Sequence, residues 1–256
     1  MLTAMRRSDT AKVTARDSER TEAPFQCPTC QREVTLHKGR IKVHHFAHKP
    51  PVTCARGIGE SEAHLQAKLA IFDALKREGN VADLEIERDC GISVADVFAR
   101  ISGTPVAIEI QRSALSANQI NARTQNYHRL GIAVLWIALP SPDLATSKYS
   151  PSAWEKWCHA TYYGRIYYWD QGQVLKVAHF DPYVIEVPHS TWYEGGSERS
   201  AGGYDKRSKR WRTPRLGIPV LISASFHRSH REAWQGGTVA IPECSIYLDR
   251  QTKWWK

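Results

Sequence analysis

Apolar and polar residues alternate most regularly between Ile92 and Gln111, ISVADVFARISGTPVAIEIQ. β-Branched and apolar residues dominate Ile92 to Arg100, Ser102-Gly103-Thr104-Pro105 signals a tight turn, and Val106 to Gln111 resumes the pattern. Two adjacent strands are predicted. Side chains along a strand alternate faces, so Glu109 and Gln111 share one side while Val106, Ile108 and Ile110 share the other. Asp96 lies in the first strand, in phase with Ile92, Val94 and Phe98. A carboxylate in an apolar strand is costly to bury unless it is paired or holds a metal. Asp96 and Glu109 are therefore a candidate site for a hard divalent cation.

The pattern on either side supplies a frame for these strands. Gly59 to Gly79 has helical spacing, with Leu65, Leu69, Phe72 and Lys76 on one face and Ile71 and Leu75 on its flank. Glu62 opens that face; Glu60 and His64 fall away from it. Glu62 either favours the positive helix N-terminus or is aimed at whatever the helix packs on. Asp83 to Glu87 reads as an edge strand. Ser116 to Leu130 reads as a second helix, N-capped by Ser116 and stopped at Gly131. Ile132 to Leu139 is apolar on both faces, as expected of a strand covered from both sides. The order is helix, strand, strand, strand, helix, strand: an α/β class built on a mixed α+β sheet. Beyond Pro140 come a linker to Ser152, a short helix from Ala153 to Ala160, and a hairpin turning at Asp170-Gln171-Gly172. The remainder, rich in Trp, Tyr and Gly, has no fold assignable from its pattern.

Met1 to Ala23 shows no periodicity and is expected to be a disordered tail. From Phe25, cysteine and histidine change the picture: Cys27-Pro28-Thr29-Cys30, His44-His45-Phe46-Ala47-His48, then Cys54. A CxxC knuckle followed by clustered His and Cys fits a structural Zn²⁺ site. Cys27, Cys30, His48 and Cys54 are the candidate ligands, with His45 as the substitute for His48. A redox CxxC normally follows a core strand and opens a helix, which this polar context does not offer. Glu33 to Leu36 and Ile41 to Val43, flanking Lys38-Gly39, suggest a small hairpin. Cys90, Cys158 and Cys244 are isolated and read as free buried thiols.

Charge adds a partner. The chain of 256 residues carries a net charge of +9. Between Gly196 and Glu232 stand nine Lys/Arg against three acids. Such a cluster suits a polyanion, nucleic acid above all, or is simply a solvated loop. Lys206, Lys209, Arg210 and Trp211 are the candidate contacts there, since aromatics among basic residues can stack on bases. Most of the nine tryptophans are expected to supply core. No apolar run reaches the roughly 18 to 20 residues of a membrane span, and no signal-peptide core opens the chain, so a cytoplasmic protein without a membrane partner is expected.

Taken in order, CPTC, HHFAH, ESEAHLQAK, VADV, AIEIQRS and VLWIAL resemble the competence protein CoiA family, bacterial proteins with a nuclease domain of the PD-(D/E)XK superfamily, the restriction-endonuclease-like fold. The resemblance covers Phe25 to Leu139. With the pattern on either side, the expected division is 1–23 as a tail, 24–57 as a zinc-binding module, 58–145 as the nuclease domain and 146–256 as a basic, aromatic region. The resemblance implies Asp96 as the motif aspartate, Glu109 as the second acid, Glu62 as the acid of the first helix, and Gln111 at the position usually held by lysine. The implied activity is Mg²⁺- or Mn²⁺-dependent endonucleolytic cleavage of DNA during competence or recombination. Gln111 can orient a water but supplies no positive charge; Lys68, Arg112 or Arg123 could replace it and touch DNA. The alternatives are an inactive nuclease fold that binds DNA and recruits recombination proteins, or acids that merely pair with Arg88, Arg112 or Arg123.

Overall fold

A computed structural model describes residues 1–54, 56, 60–111, 115–237 and 239–256. Its N-terminal part is a five-stranded antiparallel sheet of β1 (Thr3–Arg6), β2 (Lys12–Thr14), β3 (Phe25–Gln26), β4 (Glu33–His37) and β5 (His45–His48), in the order β2-β1-β3-β4-β5. Phe25, Val34, Leu36 and Phe46 alternate into one small core with Met1, Ala4 and Ala15. The expected tail is thus ordered: the few apolar residues of its first turns are buried, and β1 is the central pairing partner of β2 and β3. The hairpin also differs from expectation. β4 pairs with β5, which sets Phe46 opposite Leu36, whereas Ile41 is exposed.

The second part begins with α1 (Glu62–Leu75), capped by Ser61, whose hydroxyl accepts the His64 N–H at 3.3 Å. It continues through β6 (Val81–Asp89), β7 (Val94–Ile101), β8 (Thr104–Gln111), α2 (Ala117–Arg129) and β9 (Ala133–Ala138). Ser116 and Gln119 close a reciprocal capping box at the head of α2. The order matches the hydrophobic pattern because each element carries its own periodicity. β6, β7 and β8 are antiparallel neighbours, and β9 lies parallel to β8.

α1 lies in a different rotational phase from the one its leucines suggested. Leu65, Ala67, Lys68, Ile71, Ala74 and Leu75 are buried, while Leu69 and Phe72 are only half-buried. Leu69 and Phe72 line a crevice with Leu2 and Thr14, so the apolar stripe is shared between the large sheet and the N-terminal sheet. That rotation carries His64 and Lys68 inward, and Glu60, just before the cap, meets Lys68 there.

Residues beyond 145 do not form a separate layer. α3 (Ala153–Thr161) leads to β10 (Ile166–Gln171) and β11 (Val174–Val187), then β12 (Ser190–Glu194), β13 (Ser197–Ala201), β14 (Tyr204–Leu216), β15 (Val220–Leu221), β16 (Phe226–Arg231), β17 (Trp234–Gly236), β18 (Val239–Ile241) and β19 (Cys244–Asp249). The main path of the large sheet runs β14-β11-β10-β9-β8-β7-β6, with β19 joining β9 beside β10. A strand as apolar as β9 needs partners on both edges, and residues from the C-terminal region provide one of them. Tyr162, Tyr167 and Tyr168 are buried in this core; of the nine tryptophans expected mostly there, Trp136, Trp154 and Trp157 are buried, Trp169 and Trp254 pack partly against it, and Trp192 and Trp234 are exposed. Cys158 and Cys244 are buried free thiols and Cys90 is half-buried. Among the described residues no helix is long and apolar enough to cross a membrane.

Candidate metal-binding cleft

The ladder between β7 and β8 ends at Val97 opposite Ile108. One position further on, the Asp96 carboxylate takes over as acceptor, receiving the Ile110 N–H at 2.8 Å. The strands part there, and α1 fills the opening. His64 Nε2 lies 3.1 Å from Asp96 Oδ2, and Lys68 Nζ lies 2.9 Å from Asp96 Oδ1. Lys68, buried, also pairs with Glu60 and, at 3.2 Å, with Glu87. The Met1 ammonium reaches Glu60 at 2.7 Å. Glu60, His64 and Asp96 each offer a donor atom within 4.8 Å of the others. They border a cleft of about 600 Å³ whose lining also includes Gln111 and Arg123.

Burial alone would lift the pKa of each acid here, and the cations decide the outcome. For Asp96, Lys68 and then His64 outweigh burial and hold the carboxyl well below its ordinary value. For Glu87, Lys68, the Met1 ammonium and the Leu2 N–H overcome burial and hold it near 2. Lys68 is in turn pushed far up by the acids around it, Asp96 foremost, against the opposing effect of burial.

Glu109 is held differently. Its carboxylate accepts from Tyr127 Oη and, at 2.6 Å, from Arg123, both on α2. Burial raises its pKa to about 7; Arg123 opposes this and the charge of Asp96 adds to it. Glu62 is not in the cleft. Its carboxylate accepts the Val43 N–H at 2.7 Å, tying the helix start to the N-terminal part, because the phase of α1 presents His64 and Lys68 instead. Gln111 borders the cleft at the end of β8. Arg123 stands at the rim, also donating to the Val94 carbonyl at 3.3 Å. Arg112 lies outside the described residues.

Glu87 was hidden in the sequence by an alternation that makes it look like the exposed acids of an edge strand. It is buried because β1 docks on it: Leu2 N–H, Thr3 N–H and Thr3 Oγ1 all donate to its carboxylate, as do Arg56 and Lys68. His64 and Lys68 did carry a signal, since they stand four apart on one face of α1, whereas Glu60 precedes the cap Ser61 and reaches the cleft from outside the helix.

A second donor set lies in the N-terminal part. Cys27, Cys30, His48 and Cys54 bring their ligand atoms within 4.8 Å of one another. Cys27 Sγ and Cys54 Sγ are 4.0 Å apart, and Cys30 Sγ and His48 Nε2 are 3.3 Å apart. A disulfide needs about 2 Å, whereas sulfurs on a tetrahedral ion with bonds near 2.3 Å stand about 3.8 Å apart. His45 turns away, its Nδ1 within 2.9 Å of the Val43 carbonyl and its ring stacked on His37.

At the far edge of the large sheet, Trp211 is held between Lys148, 4.9 Å from the ring, and Arg210, 4.5 Å. Lys206 and Lys209 are exposed on the same strand.

Residues 60–180 match the family model described as the nuclease-like domain of competence protein CoiA, and residues 8–56 match that of the CoiA N-terminal domain. The cleft therefore lies in a nuclease-like domain, and the chain belongs to the competence protein CoiA family. Competence protein CoiA of Bacillus subtilis (strain 168) is 29% identical over 173 residues, covering 65% of this chain and 46% of that protein. The matched stretch thus spans about half the length of that relative. No solved structure matches the chain.

Proposed function

We propose that this protein is a metal-dependent DNA endonuclease whose cleft is a variant of the restriction-endonuclease-like site. The observation that carries the reading is the meeting of Glu60, His64 and Asp96 with Lys68 where β7 and β8 part. Two carboxylates and an imidazole fit a divalent ion. The imidazole nitrogen makes Mn²⁺ a better occupant than Mg²⁺, which prefers oxygen donors and retains its waters. When bound, such an ion would activate water and neutralise charge on the phosphate oxygens. Lys68 provides the fixed positive charge that Gln111 lacks. Gln111, which borders the cleft, would orient a water or hold a phosphate oxygen through its amide. Arg123 at the rim and the basic strand around Trp211 would bind the DNA backbone, making binding strongly salt-dependent.

The donor set of Cys27, Cys30, His48 and Cys54 fits a structural Zn²⁺, which would tie β3, β4 and β5 to the segment leading to α1. Metal analysis should find about one zinc per chain, lost in Cys27→Ser. Competence, the process in the relative's name, would then involve processing of DNA by this site.

The second reading is a DNA-binding module without cleavage. It is favoured by the cations already paired with the acids, Lys68 with Asp96 and the Met1 ammonium with Glu60. Cleavage of single-stranded, double-stranded and branched DNA with Mn²⁺, Mg²⁺ or chelator separates the two. The nuclease reading expects metal-dependent products that fall by roughly a hundredfold or more in Asp96→Asn. DNA binding with no cleavage of any substrate would favour the second.

A further inference from the structure

β11 and β14 run far past the sheet they belong to. From Pro182 opposite Arg212 to Val187 opposite Tyr204 they pair with each other, and the hairpin of β12 and β13 continues the ribbon. Gly195 and Gly196, with φ of 60° and 81°, form the two-residue turn at its tip, the left-handed geometry that glycine adopts without a Cβ clash. A Cβ at Gly202 would come within 2.0 Å of the Pro188 carbonyl oxygen, so only glycine permits the close joint between stem and tip. Thirteen residues of strand, at about 3.3 Å each, give the ribbon a reach of at most about 40 Å. Every residue of β12 and β13 is exposed. An isolated two-stranded ribbon is marginal in water, and this one presents Trp192, Tyr193 and Tyr204 to solvent.

The chemistry on the ribbon selects its occupant. From Tyr204 to Arg212 the chain carries Lys206, Arg207, Lys209, Arg210 and Arg212 against the single acid Asp205, while the facing strand and the tip add Glu186, Glu194 and Glu198 with Arg199, so the cations concentrate on the stem and base. Lys206 and Arg207 are neighbours in the ladder, paired with Ile185 and Val184, so each face of the stem bears a cation. Trp192 and Tyr193 are likewise consecutive and face opposite ways. At the base, residues 208–211 leave the ladder. Ser208 Oγ accepts the N–H groups of Arg210 and Trp211 at 3.2 and 2.9 Å, fixing a basic knuckle beside Lys148. A ribbon with cations on both faces suits a partner that surrounds it with negative charge, as the two phosphate walls of a duplex groove do. The major groove, about 12 Å wide, admits a two-stranded β-ribbon.

We infer that the ribbon from Pro182 to Arg212 is an arm that enters a groove of double-stranded DNA and holds the duplex while the cleft acts. The inference deepens the nuclease reading and rests on DNA being the partner. The test uses the full chain, without divalent metal, and a fluorescent 30-base-pair duplex whose affinity is measured across a salt series. One variant replaces residues 189–202 with Asn-Gly; another is Lys206→Ala with Arg207→Ala. Each should weaken duplex binding about tenfold at constant melting temperature, and the double substitution should lower the slope of log K against log salt by about 1.8. Unchanged duplex affinity in both variants overturns the arm. So does an equal loss on a 30-nucleotide single strand, which would make the ribbon a single-strand platform, or no binding of the duplex by the wild type. Because binding is read without metal, an arm that holds DNA in a protein that never cleaves would sink only the nuclease reading.

Discussion

The Asp96 side of the cleft and the Glu109 side are built from adjacent strands, yet they treat a carboxylate in opposite ways. Asp96 meets α1, where an ammonium and an imidazole hold it ionised in a space open to the cleft. Glu109 meets α2, where Tyr127 and Arg123 close over it and burial lifts its pKa to about 7. Two acids that the strand pattern makes look equivalent are thus one candidate ligand and one enclosed group. Which helix faces a strand, more than the strand itself, decides what its acid can do.

The sharpest way to break this contrast is to remove Lys68. Lys68→Met leaves Glu60, Glu87 and Asp96 facing one another without their shared cation, and the protein should lose about 3 to 5 kcal/mol of stability. Mn²⁺ should then raise the melting temperature more in the variant than in the wild type, because ion and ammonium compete for the same carboxylates. Equal Mn²⁺ responses would show that the ion does not bind where Lys68 does. On the other side, Tyr127→Phe deprives a buried carboxyl of a donor and should cost about 1 to 3 kcal/mol in denaturant melts, with no change in the Mn²⁺ response.

A further effect lies in acid. Glu87 has a folded pKa near 2 against its ordinary 4.5. A depressed acid stabilises the fold above the unfolded value and loses that contribution as pH falls from 4.5 toward 2. Denaturant melts across this window should show stability declining, and Glu87→Gln should flatten the decline. A variant with the same acid slope as the wild type would place the titration elsewhere.

The local parts of this account were legible in the sequence. β7, β8, α2 and β9 follow from alternation, helical spacing and caps, and Asp96 stood out because it interrupts an apolar strand. The gathering of Cys27, Cys30, His48 and Cys54 was visible in their spacing, since a CxxC and a following His and Cys are read residue by residue. Glu62 misled because α1 has two apolar patches: Leu69 and Phe72 meet the N-terminal sheet while Ala67, Ile71 and Leu75 meet the large one. Only the second patch sets which side chains reach the cleft. Glu87 and the pairing of β9 with β19 depend on segments distant in sequence, and no local pattern announces such contacts. Of the N-terminal strands, β4 matches the strand expected over Glu33 to Leu36, while β1, β2, β3 and β5 have no clear local pattern, because their burial is shared among strands distant in sequence.

The central claim is that Glu60, His64 and Asp96, and not Glu62, form the ion site. Mn²⁺-dependent cleavage of DNA by Glu60→Gln and Glu62→Gln, measured beside the wild type, tests it most directly. The expected result is loss of cleavage by roughly a hundredfold in Glu60→Gln and retention within a few-fold in Glu62→Gln. Loss in Glu62→Gln with full activity in Glu60→Gln would contradict the account.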